Sequence, residues 1–286
     1  MTAASAPSAS AVRRAGIVGW PLDHSRSPMI HNYWLQEFGI AGSYEALPVP
    51  PEEAAAFFRN FAASGLVGCN VTVPLKEIAA AACDVLDPVA DALQAANTLW
   101  LDNNTLVGAN TDVGGFLDNL DEQAPRWDYD GGPAVVIGAG GAARAVAYGL
   151  GLRKFSPITI VNRTVERAAT IAMLVPGGRA RALSVLPQVL RDARVLVNTT
   201  SLGMKGQPRL DIDLTPLPRH ALVNDVVYVP LETELLAAAR ARGNPVVDGL
   251  GMLLHQAVPG FNRWFGKRPA VTPELRALVV ASLQGD

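Results

Sequence analysis

The chain has 286 residues, which is the length of about two ordinary domains and enough to bury two hydrophobic cores. With 49% hydrophobic and 17% charged residues, its composition excludes a disordered, collagen-like or coiled-coil chain. A formal net charge of −2 argues against binding to nucleic acid, and no apolar stretch is long enough for a transmembrane helix. Cys69 and Cys83 lack metal-ligand spacing, which favours a reduced, cytoplasmic compartment.

Residues 1–14 are rich in Ala and Ser, carry Arg13 and Arg14, and contain no acid. Both transit-type segments and disordered tails have this composition, but a secretory signal would need an apolar run. A buried strand is predicted to begin near Ala15. We therefore expect residues 1–14 to form a disordered tail.

After the tail, short apolar runs alternate with helical patterns, which predicts βα units and a parallel sheet. The strands are expected at residues 16–18, 44–49 and 66–73, and the helices at residues 28–38, 51–64 and 76–83. Pro51 followed by two acids is typical of a helix start. Residues 98–101 and 105–108 flank a turn-forming Asp-Asn-Asn cluster, which predicts a β-hairpin.

Residues 122–132 combine Pro, charges and paired glycines, which predicts a linker between two domains. A second alternating pattern follows, with strands at 134–137, 158–161, 195–198, 222–226 and 246–248 and helices at 141–150, 164–174, 233–241 and from 252 onwards. The chain is therefore predicted to be an α/β protein with an N-terminal α/β domain and a second α/β domain.

A glycine-rich turn joins the strand at 134–137 to the following helix. The turn contains Gly138, Ala139, Gly140, Gly141 and Ala142, and with Ala143 it fits the G-x-G-x-x-A spacing. Glycine lets the backbone approach a pyrophosphate closely, and the helix N-terminus offers unpaired N–H groups and a partial positive charge. Alone the motif is weak, since glycine-rich turns also serve helix–strand packing. Within a βαβ unit it predicts nucleotide binding, and the second domain is therefore expected to be a Rossmann-like dinucleotide-binding domain.

The end of the next strand indicates which nucleotide is bound. NAD sites usually end this strand with an acid that binds the ribose hydroxyls. Here the strand runs into Asn162, Arg163 and Thr164, with Arg167 one turn later. Two guanidinium groups suit a 2′-phosphate, so the sequence predicts NADP(H), although both arginines could simply be solvated at a helix start.

Polar clusters follow the predicted strands of the first region. Ser25 and Ser27 precede a helix that starts with proline, so they suit either a polyhydroxylated ligand or helix capping. Lys76 and Asp112 are ordinary surface charges when taken alone. Each follows a strand, however, at the edge where α/β proteins bind ligands.

The chain contains a series of motifs in this order: G-x-P-x-x-H-S-x-S-P-x-x-H-N, N-V-T-x-P-x-K, N-T, N-T-D-x-x-G-F, G-A-G-G-A-A-R-A and N-R-T. This series resembles that of the shikimate dehydrogenase family. So do the later runs that begin at Asn198, Asp225 and Gly249, and the resemblance covers nearly the whole chain after the tail. It implies NADPH-dependent, reversible reduction of 3-dehydroshikimate to shikimate in chorismate and aromatic amino-acid biosynthesis. It also implies a substrate-binding catalytic domain over 15–115, an NADP-binding domain over 116–247, and a C-terminal helical segment over 248–286 that packs on the substrate domain.

The resemblance assigns roles by matching motif. Lys76 and Asp112 would be the catalytic pair. Because hydride transfer builds negative charge on the carbonyl oxygen, we expect Lys76 to act as general acid in the reductive direction and Asp112 to be its orienting partner. The substrate's hydroxyls and carboxylate would be bound by Ser25, Ser27, Thr72, Asn97, Asp112 and Gln256, and Tyr228 would lie between substrate and nicotinamide. The cofactor would contact Thr199, Ser201, Gly249 and Met252 in addition to the glycine-rich turn and the arginines. Such a protein is expected to be a monomer or a homodimer.

Three alternatives remain at this point. An NAD-preferring quinate/shikimate dehydrogenase would carry an acid near the end of the second Rossmann strand. A non-catalytic NADP-binding sensor would lose Lys76 or Asp112, and a dehydrogenase acting on amino acids or folates would lack the N-terminal motifs. His24, His31 and His255 have no metal-ligand spacing, so we expect structural roles for them and no metal site.

Overall fold

The computed structural model describes residues 12–22 and 25–283, and this part of the chain forms two six-stranded sheets. The first sheet contains β1 (Arg13–Gly19), β2 (Gly42–Pro48), β3 (Gly68–Val71), β4 (Val85–Leu86), β5 (Thr98–Asp102) and β6 (Thr105–Ala109). Its strand order is β2-β1-β3-β5-β6-β4, and β5 runs antiparallel to both of its neighbours. The connecting helices are α1 (Ser27–Glu37), α2 (Pro51–Arg59), α3 (Lys76–Ala82) and α4 (Pro88–Leu93).

The second sheet is entirely parallel in its described strands. It contains β7 (Gly132–Ile137), β8 (Phe155–Asn162), β9 (Gly178–Ala182), β10 (Val195–Asn198), β11 (Leu222–Asp225) and β12 (Val246–Val247). The order β9-β8-β7-β10-β11-β12 is that of a dinucleotide-binding sheet, with its reversal point between β7 and β10. Its helices are α6 (Gly141–Leu152), α7 (Val165–Ala172), α8 (Leu186–Leu190) and α9 (Glu234–Ala241). The predicted fold class is confirmed.

The central strands of this second sheet, β7, β8 and β10, are largely apolar on both faces and contribute to core layers on both sides of the sheet. Val136 and Ile160 face one core layer, while their chain neighbours Val135 and Val161 face another. Near-continuous runs of β-branched residues are what such a doubly covered parallel sheet requires. The same runs made these strands recognisable in the sequence.

Two helices connect the sheets. They are α5 (Asp112–Gln123), which leads from the first sheet to the second, and α10 (Leu250–Phe265), which leads back. Near the end of α10, the Trp264 indole N–H donates to the Leu99 carbonyl at 3.0 Å, so the C-terminal segment returns to the first domain as predicted. A last helix, α11 (Pro273–Leu283), follows. Among the described residues, no helix is both long and apolar enough to cross a membrane.

Several predicted boundaries were wrong. β1 begins at Arg13, which lies opposite Gly42 in the β1–β2 register, so Arg13 and Arg14 belong to the sheet. Residues 1–11 of the predicted tail lie outside the described residues. The helix predicted at 51–64 ends at Arg59, because Asn60 leaves helical geometry and a short 3₁₀ turn follows.

Other elements were not predicted because their local signals are weak. β4 has two residues, β9 carries arginines at alternate positions, and α5 contains consecutive glycines that lower helix propensity. Helices α4 and α8 are only six and five residues long. The predicted domain division after residue 115 falls inside α5, and the helical region predicted from residue 252 consists of two helices, the first starting at Leu250.

Candidate active site

One edge of the first sheet gathers polar residues from strands that are distant in sequence. The register pairs Asn70 of β3 with Thr98 of β5, and Thr98 in turn with Ala109 of β6. Because β5 is antiparallel, the residue just before it, Asn97, lies beside the ends of β3 and β6. The helices that follow those two strands begin at Lys76 and Asp112, so both side chains start at the same edge.

Lys76 and Asp112 form a close ion pair. The Lys76 ammonium lies 2.6 Å from Asp112 Oδ2, and the two side chains are only 19% and 9% exposed. Asp112 Oδ1 accepts a second hydrogen bond, at 2.8 Å, from the Asn97 amide. The carboxylate also sits in the first turn of α5, where the helix dipole favours negative charge. The Lys76 ammonium, the Asn97 amide and the dipole of α5 therefore all stabilise the Asp112 carboxylate in this orientation.

This pair opens onto a cavity of about 180 Å³ between the two sheets. The predicted substrate residues that line it are Ser27, Thr72, Lys76, Asn97, Asp112, Tyr228 and Gln256. Ser25 is not among the lining residues, and its hydroxyl accepts a long hydrogen bond of 3.4 Å from the Ser27 N–H. The capping alternative is not favoured either, since the residue at the N-cap of α1 is Arg26, with no side-chain capping bond.

Asn70 lines the cavity but was missed as a candidate in the sequence. Its Oδ1 accepts a 2.7 Å hydrogen bond from the Tyr44 hydroxyl, and its amide nitrogen donates to Asn97 O and Thr98 Oγ1, both at 3.1 Å. Buried amides need such partners, so Asn70 is fixed in orientation. A polar residue inside an otherwise apolar strand was the signal that could have identified it.

Tyr228 and Gln256 reach the cavity from the second half of the chain. Gln256 lies on α10, where its amide donates to Leu253 O at 3.0 Å, and its Oε1 lies 3.4 Å from the Asn97 amide. Tyr228 follows β11, and burial raises the pKa of its hydroxyl while the nearby Arg26 charge opposes that rise. The Tyr228 hydroxyl is therefore protonated at neutral pH and available as a donor.

The glycine-rich turn lies at the other side of the same cavity, where Ala142 is one of the lining residues. Gly138 has φ +108°, and a Cβ there would come within 2.7 Å of Thr199 Oγ1, so only glycine fits without strain. A Cβ on Gly140 or Gly141 would meet nothing within 4 Å. This open space at the N-terminus of α6 fits a pyrophosphate.

The end of β8 carries no carboxylate. Asn162 instead donates from its amide to the Thr164 carbonyl at 2.9 Å, which shapes the turn into α7. Thr164, Arg163 and Arg167 are exposed, and neither arginine forms an ion pair with a described residue. Two uncompensated guanidinium groups at this position fit a 2′-phosphate better than ribose hydroxyls.

The remaining predicted cofactor residues surround the cavity and the turn. The buried Thr199 hydroxyl donates to Ile137 O at 2.7 Å, beside the glycine-rich turn, while Ser201 is exposed. Gly249 and Met252 line the cavity. A Cβ on Gly249 would lie 2.3 Å from Val226 O, so this close approach of two backbone segments requires glycine.

None of the described histidines lines this cavity. His31 is fully buried and stacks on Tyr44 with ring centroids 4.0 Å apart, within a group of aromatic rings from α1 and α10. His255 Nε2 lies 2.9 Å from Glu122 Oε2, and His24 lies outside the described residues.

The dinucleotide-binding sheet and the first α/β domain share one cleft, and the Lys76–Asp112 ion pair lies on the first domain's side of it. This is the arrangement of a two-domain nicotinamide-dependent dehydrogenase. Comparisons with known families agree with this class. Residues 17–99 match the shikimate dehydrogenase substrate binding domain, residues 122–204 match shikimate / quinate 5-dehydrogenase, and residues 249–278 match the shikimate 5′-dehydrogenase C-terminal domain. The chain belongs to the shikimate dehydrogenase family.

Individual relatives are similar over almost their whole length. The NADP(+) shikimate dehydrogenase of Azorhizobium caulinodans is 55% identical over 277 residues, which cover 95% of this chain and 97% of the relative. The Thermus thermophilus shikimate 5-dehydrogenase, solved with NADP(H) and shikimate, is 34% identical, with a TM-score of 0.83 over 95% of this chain and 100% of that one. The quinate dehydrogenase of Corynebacterium glutamicum, solved with NAD, is 30% identical, with a TM-score of 0.86 over 94% of this chain and 99% of that one.

Proposed function

We propose that this chain catalyses the reversible reduction of 3-dehydroshikimate to shikimate with NADPH, a step of chorismate and aromatic amino-acid biosynthesis. The observation that carries the proposal is that the Lys76–Asp112 pair and Ala142 of the glycine-rich turn line the same cavity. A carbonyl substrate placed there would contact the ion pair on one side and face the cofactor site on the other.

Bound NADPH would supply the hydride. Reduction of the carbonyl carbon places negative charge on its oxygen, and that oxygen must receive a proton. The Lys76 ammonium is the group that supplies this proton, and its charge stabilises the developing oxyanion. Asp112 lies 2.6 Å from the ammonium and keeps it beside the cavity that both residues line, and solvent restores the proton after each turnover.

Neutral hydrogen-bonding groups on the remaining walls suit a ring with several hydroxyls and a carboxylate. In this proposal Ser25, Ser27, Thr72 and Asn97 bind the substrate from the first domain, and Gln256 from α10. Tyr228 separates substrate from nicotinamide. Sites of this kind strongly reject analogues that lack the hydroxyls, because their buried polar groups would lose partners.

On the cofactor side, we assign the diphosphate to the turn from Gly138 to Ala142 and the 2′-phosphate to Arg163 and Arg167, with Asn162 and Thr164 shaping that pocket. Thr199, Ser201, Gly249 and Met252 would contact the nicotinamide half. We also propose that the protein works in the cytoplasm as a monomer or a homodimer. Sedimentation velocity of the purified chain distinguishes these two oligomeric states.

The direct test is an absorbance assay at 340 nm with shikimate or quinate as substrate and NADP or NAD as cofactor. Turnover of shikimate with NADP, and little with NAD, is the expected result. Preferred use of quinate or NAD would indicate the alternative dehydrogenase of the same family. Binding of NADPH without turnover of either substrate would favour the non-catalytic NADP-binding sensor.

A further inference from the structure

A buried carboxylate with no assigned role lies at the C-terminal end of β11. Asp225 is 0% exposed, and no cation pairs with it among the described residues. Instead it accepts three hydrogen bonds, from the Asn198 amide at 2.9 Å, the Val227 N–H at 3.0 Å and the Thr233 hydroxyl at 2.7 Å. Burial raises its pKa, while these donors oppose the rise.

The three donors connect Asp225 to two different loops, one through the end of β10 and the other directly. Asn198 is the last residue of β10, and its Oδ1 accepts hydrogen bonds from the N–H and the hydroxyl of Thr200 at 3.0 and 2.8 Å. These bonds fix the start of the loop at 199–205. Val227 and Thr233 bracket the loop at 226–233, which carries Tyr228. The first loop contains Thr199 and Ser201 of the cofactor site, and the second borders the cavity.

Backbone contacts also join the two loops to each other and the second loop to the end of β10. The Lys205 N–H donates to Val229 O at 2.8 Å, and the Val226 N–H donates to Asn198 O at 3.0 Å. Asp225 is therefore the side chain that connects both loops to one point of the sheet. An isolated buried carboxylate is costly unless its hydrogen bonds are satisfied, so the donors have to stay in place around it.

We propose that Asp225 is a positioning residue that holds the loops at 199–205 and 226–233 as one unit and thereby places Tyr228 against the nicotinamide site. Thr233 has a second role in this unit, because its hydroxyl also caps α9 by accepting from the Leu236 N–H at 3.4 Å. The inference rests on the proposed function only where catalysis is concerned. The connection between the loops can be tested without turnover.

Hydrogen–deuterium exchange of the full chain tests that connection. We expect Asp225→Ala to accelerate amide exchange in 199–205 and in 226–233 together, while the first domain stays unchanged. Asp225→Asn keeps the acceptor for Asn198 and Val227 and should restore most of the protection. Thr233→Val, which removes one donor with little change in shape, should loosen 226–233 and serves if Asp225→Ala does not fold.

The matched control is Asn244→Ala. Asn244 is also buried in the second domain, and its amide donates to Pro218 O at 2.8 Å and Ala221 O at 3.0 Å at the N-terminal end of β11, whereas Asp225 lies at the C-terminal end. This control should lower stability without accelerating exchange in the two loops. Equal acceleration by Asn244→Ala and Asp225→Ala, or unchanged exchange in Asp225→Ala and Thr233→Val, would overturn the proposal.

Two functional measurements follow. NADPH fluorescence titration should show about tenfold weaker binding in Asp225→Ala and near-normal binding in Asp225→Asn. In an enzyme that turns over shikimate, Asp225→Ala should also raise the KM for shikimate, and this rise should shrink in a Tyr228→Phe background because the two residues act together. Additive effects in this cycle would show that Asp225 does not act through Tyr228. An inactive wild-type chain would refute the proposed function, while exchange and NADPH binding would still test Asp225.

Discussion

At the residue scale, the Lys76–Asp112 pair combines close contact with partial burial. Its members are 36 positions apart in sequence, yet the ammonium and carboxylate are 2.6 Å apart and open to the cavity. Asn97 holds the carboxylate from the other side, so Asp112 has little freedom to turn away from Lys76. Positioned proton donors of this kind typically contribute factors of about 10²–10⁴ to a rate.

Lys76→Ala is therefore expected to lower kcat by about 10²–10⁴ with only a modest change in the KM for shikimate. The reason is that the proton donor is used in the transition state, while several neutral groups still bind the ground state. Steady-state kinetics at 340 nm measure both constants. Lys267→Ala, at an exposed position outside the cavity, is the control, and an unchanged kcat in Lys76→Ala would contradict the assignment.

His31 shows how burial alone can make a residue sensitive to pH. It is 0% exposed, and neither ring nitrogen has a hydrogen-bond partner among the described residues. This desolvation lowers the pKa of His31 from 6.5 to about 3. The unfolded chain therefore takes up a proton at this position at a higher pH than the folded chain, and stability falls as the pH drops from about 6.5 towards 3.

His31→Phe should remove this acid sensitivity while keeping an aromatic ring against Tyr44. Between pH 7 and pH 4, the wild-type chain should lose about 3 kcal/mol more unfolding free energy than the variant, since one pKa unit corresponds to about 1.4 kcal/mol. Urea denaturation at both pH values measures the difference. Parallel losses in the two proteins would show that His31 is not desolvated in solution.

At the scale of elements, the junction of β8 and α7 is where we propose that NADP is distinguished from NAD. The strand ends at Asn162, Arg163 lies in the turn that follows it, and Arg167 lies in the first turn of α7; both arginines are exposed. Exposed arginines without ion pairs contribute little to folding. Their charge is instead available to the 2′-phosphate, which NADP carries on its adenosine ribose and which NAD lacks.

Replacing both Arg163 and Arg167 by Ala should raise the KM for NADP by at least about tenfold and leave the KM for NAD nearly unchanged, because charged hydrogen bonds to phosphate are lost. The melting temperature should stay within about 2 °C of the wild type. Arg179→Ala, at an exposed position on β9, is a suitable control. If both KM values rose together, the arginines would not distinguish the cofactors.

At the scale of the whole molecule, α5 and α10 are the two connections between the sheets, and they cross in close contact. A Cβ on Gly115 would lie 2.7 Å from Gln256 Cβ and 2.8 Å from Met252 O. The neighbouring Gly114 faces solvent, and a Cβ there would meet nothing within 4 Å. The crossing therefore sets where α10 presents Gln256 and Met252 to the cavity.

Gly115→Ala should destabilise the protein by about 1–3 kcal/mol through overpacking and raise the KM for shikimate by displacing Gln256. Gly114→Ala should be neutral or stabilise by up to about 1 kcal/mol, because alanine is the better helix former. Thermal denaturation and steady-state kinetics of the two variants give the comparison. Equal behaviour of both variants would mean that the helices do not meet at Gly115.

The sequence by itself determined five of the six strands of the second sheet, the glycine-rich turn and the family. Strand, glycine turn and helix are consecutive there, so the signal for β7 and α6 is local. The absence of an acid at the end of β8 was equally visible in the chain. Short or irregular elements such as β4, β9 and α5 escaped prediction because their residues favour helix or strand only weakly and are held by tertiary contacts.

Only the tertiary structure decided which of the motif residues meet. The antiparallel β5 brings Asn97 beside Lys76 and Asp112, and α10 returns Gln256 to a domain that the chain left more than 130 residues earlier. The orientation of Asn70 by Tyr44, and of two loops by Asp225, likewise depends on contacts between distant segments. Such contacts depend on sheet order and helix crossing, which local residue patterns do not encode, whereas turn chemistry and hydrophobic periodicity act over a few neighbouring residues.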